Sequence, residues 1–164
     1  MSKLLIELSL DPLLQDFLYH EFKTDLKTGA IIITRDSTIG KYMASMIECC
    51  DRPYKREIEC KCKILLPISA GTHYKFRNSY IYIPSWKEEM IHDYLKAEWH
   101  KRVTDIFAIG RERGFKQKHI IEAIIKEYGM KNNSITYDRI KKMDYRSRES
   151  FIKKVVREIQ CAVI

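Results

Sequence analysis

The chain has 164 residues, 45% of them hydrophobic and 32% charged, enough to bury one core or two small ones, which excludes a solenoid array and a disordered tail protein. Thirty Lys and Arg against 22 Asp and Glu give a net charge of +8, placed unevenly: residues 1–100 hold 14 basic and 14 acidic side chains, residues 101–164 hold 16 and 8. A cationic half of this density suits a polyanion, above all nucleic acid, and the neutral half does not.

The opening Met1-Ser2-Lys3-Leu4-Leu5-Ile6 is interrupted by Glu7 and Asp11 before a signal-type apolar run forms. No uncharged stretch approaches the roughly 18 residues that span a bilayer, so the expectation is a cytoplasmic protein with no membrane partner. Residues 4–8 then read as a strand. Asp11 and Pro12 supply a cap and first position for a helix with Leu13, Leu14, Phe17, Leu18 and Phe22 on one face. Gly29 marks a turn, residues 30–34 form an apolar β-branched run typical of a buried strand, and Asp36 or Ser37 caps a second helix. Ile39, Tyr42, Met43, Met46, Ile47 and Cys50 carry that helix up to Asp51-Arg52-Pro53.

Residues 58–66 alternate strictly, Ile58, Cys60, Cys62, Ile64 and Leu66 on one face and charged residues on the other, which predicts a half-buried strand paired through a long loop with a strand over 79–83. Ser85 and Glu88 form a capping box for a long helix to about Gly110, and Gly110 and Gly114 bracket a turn. Ile120, Ile121, Ile124, Ile125 and Tyr128 line one face of a helix closed by Gly129. Asn132-Asn133-Ser134 reads as an Asn-rich turn, and Thr136 caps a helix bearing Tyr137, Ile140 and Met143. A last helix carries Phe151, Ile152, Val155, Val156, Ile159 and Val163 at core spacing. The predicted class is α+β: a neutral part, 1–84, with a small sheet and helices, then a basic all-helical part, 85–164, the two able to form one continuous domain.

Within that basic part, residues 117–148 make a helix, a glycine turn and a second helix. Ile124, Tyr128, Gly129, Met130 and Ile135 stand where the bacterial and phage helix-turn-helix family places apolar, apolar, Gly, apolar and apolar residues, and the segment resembles that family over about 20 residues. It departs at Ile125, where the family has a small residue, and at Asp138, where it has an apolar one. The resemblance implies a second helix that enters the major groove of duplex DNA, about 12 Å wide.

The charge on that helix points the same way. Between positions 139 and 157, eight cations (Arg139, Lys141, Lys142, Arg146, Arg148, Lys153, Lys154 and Arg157) face only Asp144 and Glu149. Together with Lys118 on the preceding helix, and with Tyr145 as a ring able to stack or reach a phosphate, Arg139, Lys141, Lys142, Arg146, Arg148, Lys153 and Lys154 are the candidate nucleic-acid-binding residues. A solvated basic helix face is the competing explanation for any one of them.

Cys49, Cys50, Cys60, Cys62 and Cys161, odd in number, read as free thiols; neither adjacent cysteines nor Cys-x-Cys matches the knuckle spacing of a structural zinc site. No cofactor or metal is expected. His20, His73, His92, His100 and His119 are scattered, Glu57 and Glu59 read as a solvated strand face, and no phosphate loop or nucleophile motif is present, so the chain is not expected to be an enzyme. His73-Tyr74-Lys75-Phe76-Arg77-Asn78 with Tyr80 and Tyr82 interleaves rings and cations as a single-strand stacking platform would, but its neighbours are neutral and a packed hairpin loop explains it better. The resulting expectation is a DNA-binding accessory or regulatory protein, in style like those of phages and mobile elements, with duplex DNA as partner and the neutral part available for self-association or a protein partner. A module docking an acidic protein and an RNA-binding protein are the alternatives.

Overall fold

A computed structural model describes residues 3–34, 36–52, 61–67 and 80–162, with side chains described except at positions 3, 67, 155 and 157–162. The chain forms two compact units, Met1–Ala97 and Glu98–Ile164. The architecture is α+β, a small N-terminal sheet with helices followed by helices alone. No helix among the described residues is long and apolar enough to cross a membrane.

In the first unit, β1 (Lys3–Ser9) pairs antiparallel with β5 (Lys61–Pro67), from Lys3 opposite Pro67 to Ser9 opposite Lys61. β5 also pairs in parallel with the short β3 (Ile31–Ile32), which in turn pairs with β2 (Lys23–Thr24), giving the order β1-β5-β3-β2. The expected alternation of β5 holds over residues 61–64 and ends there: Cys62 and Ile64 are buried while Lys61 and Lys63 are exposed, and Leu66 is buried. Leu65 is buried as well, and Ile58 and Cys60 lie outside the described residues. α1 (Pro12–Glu21) starts as read, the Asp11 carboxylate accepting the Leu13 N–H at 2.9 Å, and buries Leu14, Phe17 and Leu18.

The expected hairpin between β5 and the strand after it does not form. β6 (Tyr80–Tyr82) pairs with β4 (Glu48–Cys50) in a separate two-stranded sheet, Cys49 opposite Ile81. Correspondingly α2 (Thr38–Met46), capped by Ser37, ends earlier than its apolar spacing predicts. Ile47 is extended at φ −74° and ψ 133°, so Cys50 sits on a strand and not on a buried helix face. A segment of three or four residues is too short for its spacing to separate helix from strand, and a partner strand decides the matter. Glu48 fastens the junction: its carboxylate accepts from Lys87 Nζ at 2.7 Å and from the Tyr82 hydroxyl at 3.1 Å, and these two donors hold its pKa below the ordinary value.

α3 (Ser85–Glu112) starts where expected and contributes 85–97 to the first unit, where Ile91 and Leu95 are buried and Tyr94 stacks on Tyr42 with ring centroids 4.4 Å apart. Glu88 is itself buried, its carboxylate accepting the backbone N–H of Ser9 at 2.5 Å. The helix does not stop at Gly110. That glycine is helical and buried, and the turn is made by Gly114 at φ 77°, with Phe115 N–H donating to the Gly110 carbonyl and Gly114 N–H to that of Arg111.

The second unit holds the rest of α3, α4 (Gln117–Glu127) and α5 (Ser134–Ala162). Its core is Trp99, Val103 and Phe107 from α3, Ile120, Ile121, Ile124 and Ile125 from α4, Tyr128 and Met130 from the turn, and Ile140 from α5. Trp99 meets Tyr128 edge-on, centroids 4.9 Å apart. The two helices expected after the turn are one helix of 29 residues, about 43 Å long at 1.5 Å per residue. No Gly, Pro or competing cap interrupts it. Of its later apolar residues, Phe151, Ile152 and Val156 are exposed and enter no core, and the side chains of Val155, Ile159 and Val163 lie outside the described residues.

Candidate nucleic-acid interface

The unit formed by α4, the turn and α5 is built by local chemistry. Gly129, at φ 61°, reverses the chain after α4; its N–H donates to the Lys126 carbonyl and that of Met130 to the Ile125 carbonyl, satisfying two helix-end acceptors. The next cap is Asn133 and not Thr136: the Asn133 side-chain oxygen accepts the Thr136 N–H at 2.8 Å, and its carbonyl accepts that of Tyr137. Thr136 and Asn133 are both good capping types, and the shorter turn selects the earlier one.

Close approach in this unit occurs at Gly110. A methyl there would stand 2.7 Å from Ile120 Cδ1, so the Ile120 side chain of α4 packs directly over Gly110 of α3 and would have to shift to admit a larger residue. Ile125, the first departure from the helix-turn-helix pattern, is buried, and Asp138, the second, is exposed.

α5 turns two chemically different faces outward and inward. Inward, Ile140 and Asp144 are almost wholly buried. The Asp144 carboxylate is neutralised by Arg111 from α3, by Arg148 at 3.2 Å on the next turn of its own helix, and by the Gln117 amide at 2.6 Å. A buried carboxylate with this many donors clamps all three helices of the unit together, and it also removes Arg148 from the cations available to a partner.

Outward, Ile135, Asp138, Lys142, Tyr145 and Arg146 fall within about 100° of one another on the helix circumference, opposite Ile140 and Asp144. All five are exposed. Lys142 and Arg146, together with Lys141 on the flank, form no ion pair among the described residues, and Tyr145 presents its ring to solvent at 63% exposure. Arg139 and Lys154 are exposed and engaged in interactions of their own. Lys153 is paired with Glu149 at 2.7 Å, a contact that raises the Lys153 pKa and lowers that of Glu149, while Lys118, on α4, lies 3.8 Å from Glu122. Apart from Arg139 and Lys154, the candidates of sequence reading therefore separate into three kinds. Lys141, Lys142, Tyr145 and Arg146 are free on α5, Lys118 and Lys153 share their charge with an exposed carboxylate, and Arg148 belongs to the core's ion network.

Three exposed cations outside the sequence-based set, Arg113, Lys116 and Lys131, sit in the connections before and after α4. Their signal was available in the charge of 101–164, but loop cations have no periodicity to draw attention to them.

Apart from Cys161, the other features singled out by sequence belong to the first unit. Cys49, Cys50 and Cys62 are free thiols, the first two half-buried and Cys62 buried, with burial pushing the Cys62 pKa up to about 11. No group of three or more His, Cys, Asp or Glu that could hold a metal ion occurs among the described residues. Of the ring-rich segment, Tyr80 is exposed and Tyr82 half-buried, and residues 73–78 lie outside the described residues. A pocket of about 410 Å³ in the first unit is lined by Ser9, Ser85, Glu88, Glu89, His92 and Asp93, an acidic lining unsuited to phosphate. Neither a protein-family model, nor a curated protein, nor a solved structure matches the chain.

Proposed function

We propose that the chain binds duplex DNA through the unit Glu98–Ile164, in an accessory or regulatory and not a catalytic capacity. The observation that carries this reading is the outward face of α5: Lys142 and Arg146, exposed and without ion pairs among the described residues, project opposite the buried Ile140 and Asp144 on the helix that follows a glycine-closed turn. Charge supports it. Residues 98–164 hold 16 basic and 9 acidic side chains, residues 1–97 hold 14 and 13. Phosphate contacts by such cations release condensed counterions, which gives affinity that falls steeply with salt.

The test is a salt-titrated binding assay of the full chain against random-sequence duplex DNA, single-stranded DNA and RNA. Tightest binding to duplex, with log affinity falling linearly in log salt, is the expected result. Preference for RNA favours the RNA reading on the same cations, and absence of binding to all three at low salt leaves the docking of an acidic protein as the explanation of the basic face.

A further inference from the structure

We infer that the free edge of β1 is a self-pairing surface, on which β1 of a second copy of the chain lies antiparallel in the register that sets Leu5 opposite Leu5. The contact lies in the first unit and is independent of the duplex-DNA reading.

β1 is the outermost strand of its sheet, in the order β1-β5-β3-β2, so one of its edges has no strand beside it among the described residues. Two observations fix which residues point that way. Ser9 donates its N–H to the Glu88 carboxylate and not to β5, and Lys3 stands opposite Pro67, which has no N–H to exchange. Ser9 and Lys3 are therefore non-hydrogen-bonded positions of the β1–β5 ladder, and by alternation Lys3, Leu5 and Glu7 turn their backbone N–H and C=O groups to the free edge. Glu88 closes that edge at Ser9, whereas the edge-facing backbone groups of Leu5 and Glu7 have no partner among the described residues. Nor is the edge protected by a proline, a bulge or an inward-facing charge: the register runs unbroken, Ile6 and Leu8 face the core, and Leu5 is 45% exposed on the other face.

The strand is complementary to itself. Antiparallel pairing about Leu5 puts Lys3 of each copy opposite Glu7 of the other and Leu4 opposite Ile6, so both charges meet opposites and the apolar face continues across the junction. A shift of two residues either way sets Leu5 against Lys3 or against Glu7 and loses the match. Leu5 also ends an apolar row on the exposed face of the sheet: it stands opposite the buried Leu65, which stands opposite the half-buried Ile32. A second copy continues that row from Leu5 to Leu5. Any extended segment could use the free N–H and C=O groups, but the pairing of charge with opposite charge about one central leucine selects this same strand as the occupant. Residues 3–7 alone are open to pairing, so the contact is short and the dimer should dissociate on dilution.

The experiment is sedimentation velocity of the full chain, free of nucleic acid, over a range of concentrations. A monomer–dimer equilibrium is expected for the parent protein. L5K, which sets two cations face to face at the centre of the contact, should raise the dissociation constant about tenfold. K3E and E7K should each raise it about fivefold, and K3E/E7K, which restores opposite charges with their order reversed, should recover the parent value; unchanged circular dichroism shows that the fold is intact in each. L5C should give a reducible cross-linked dimer absent from the parent, since paired Cα atoms about 5.5 Å apart suit a disulfide, and E7C, which stands opposite Lys3, should not. A parent protein that stays monomeric at the highest concentration overturns the inference and leaves the edge to an extended segment of another protein. A dimer that L5K, K3E and E7K leave as tight as the parent's overturns it as well, and moves the contact to another face.

Discussion

The two units are stabilised by different chemistry although they share one helix. Met1–Ala97 is organised by strand pairing; its ion pairs run from the half-buried Lys87–Glu48 to the exposed Lys61–Glu7, and its buried carboxylate, Glu88, accepts a backbone N–H from β1. Glu98–Ile164 has no strand among its described residues and places a carboxylate, Asp144, inside its core among three donors from three helices. An exposed ion pair is worth little because water competes for both partners, whereas a buried one cannot lose a member without cost. The same contrast governs function, since the second unit consumes part of its own positive charge internally and offers only the remainder outward.

The largest expected effect follows from that contrast. D144A removes a buried acceptor of three donors but leaves the half-exposed Arg111 and Arg148 free to meet water, and a loss of roughly 1–3 kcal/mol is expected, seen as a lowered urea midpoint. E7A, in the exposed pair with Lys61, should move the midpoint far less. Comparable losses for the two would erase the distinction drawn between the units.

Close approach offers the next comparison. G40A would bring a methyl to 2.1 Å from the backbone carbonyl of Thr34, which cannot move away without disturbing the turn that precedes α2, whereas G110A meets the tip of the Ile120 side chain. The first should lie near or above the upper end of the roughly 1–3 kcal/mol typical of overpacking and the second near its lower end. Combining G110A with I120V should restore part of the loss, and no second-site trimming of a side chain should rescue G40A.

Within the basic unit, K142A and R146A are each expected to weaken duplex binding on all sequences and to lower the salt slope by about one. R148A and K153A should lower it less, because their charges are already shared with Asp144 and Glu149. Equal slopes for all four would mean that the intramolecular pairs open on binding. In the neutral unit, K27A and K41A should leave both affinity and slope unchanged.

A smaller effect concerns pH. The Cys62 thiol is held neutral by burial up to about 11, against an ordinary value of 9.0, so above that ordinary value the unfolded chain loses the proton first and the folded state keeps it. Stability should therefore decline between about pH 9 and 11, and the decline should be steeper in the parent than in C62A when urea midpoints are compared across that range. The half-buried Cys49 and Cys50 should react with a thiol reagent well before Cys62 does.

Sequence by itself determined most of what depends on neighbours in the chain: α1 from Asp11-Pro12, the α4 stripe of Ile120, Ile121, Ile124 and Ile125, the Gly129 turn, and the concentration of cations after position 100. Each is a local preference that packing reinforces. Only the tertiary structure decided that β6 pairs with β4 and not β5, because strand partners are chosen over long separations by surfaces no single segment reveals. It likewise decided which cations are paired, since Arg148 and Arg146, two residues apart, identical in type and both exposed, differ in that the helix brings only Arg148 within 3.2 Å of the buried Asp144 carboxylate.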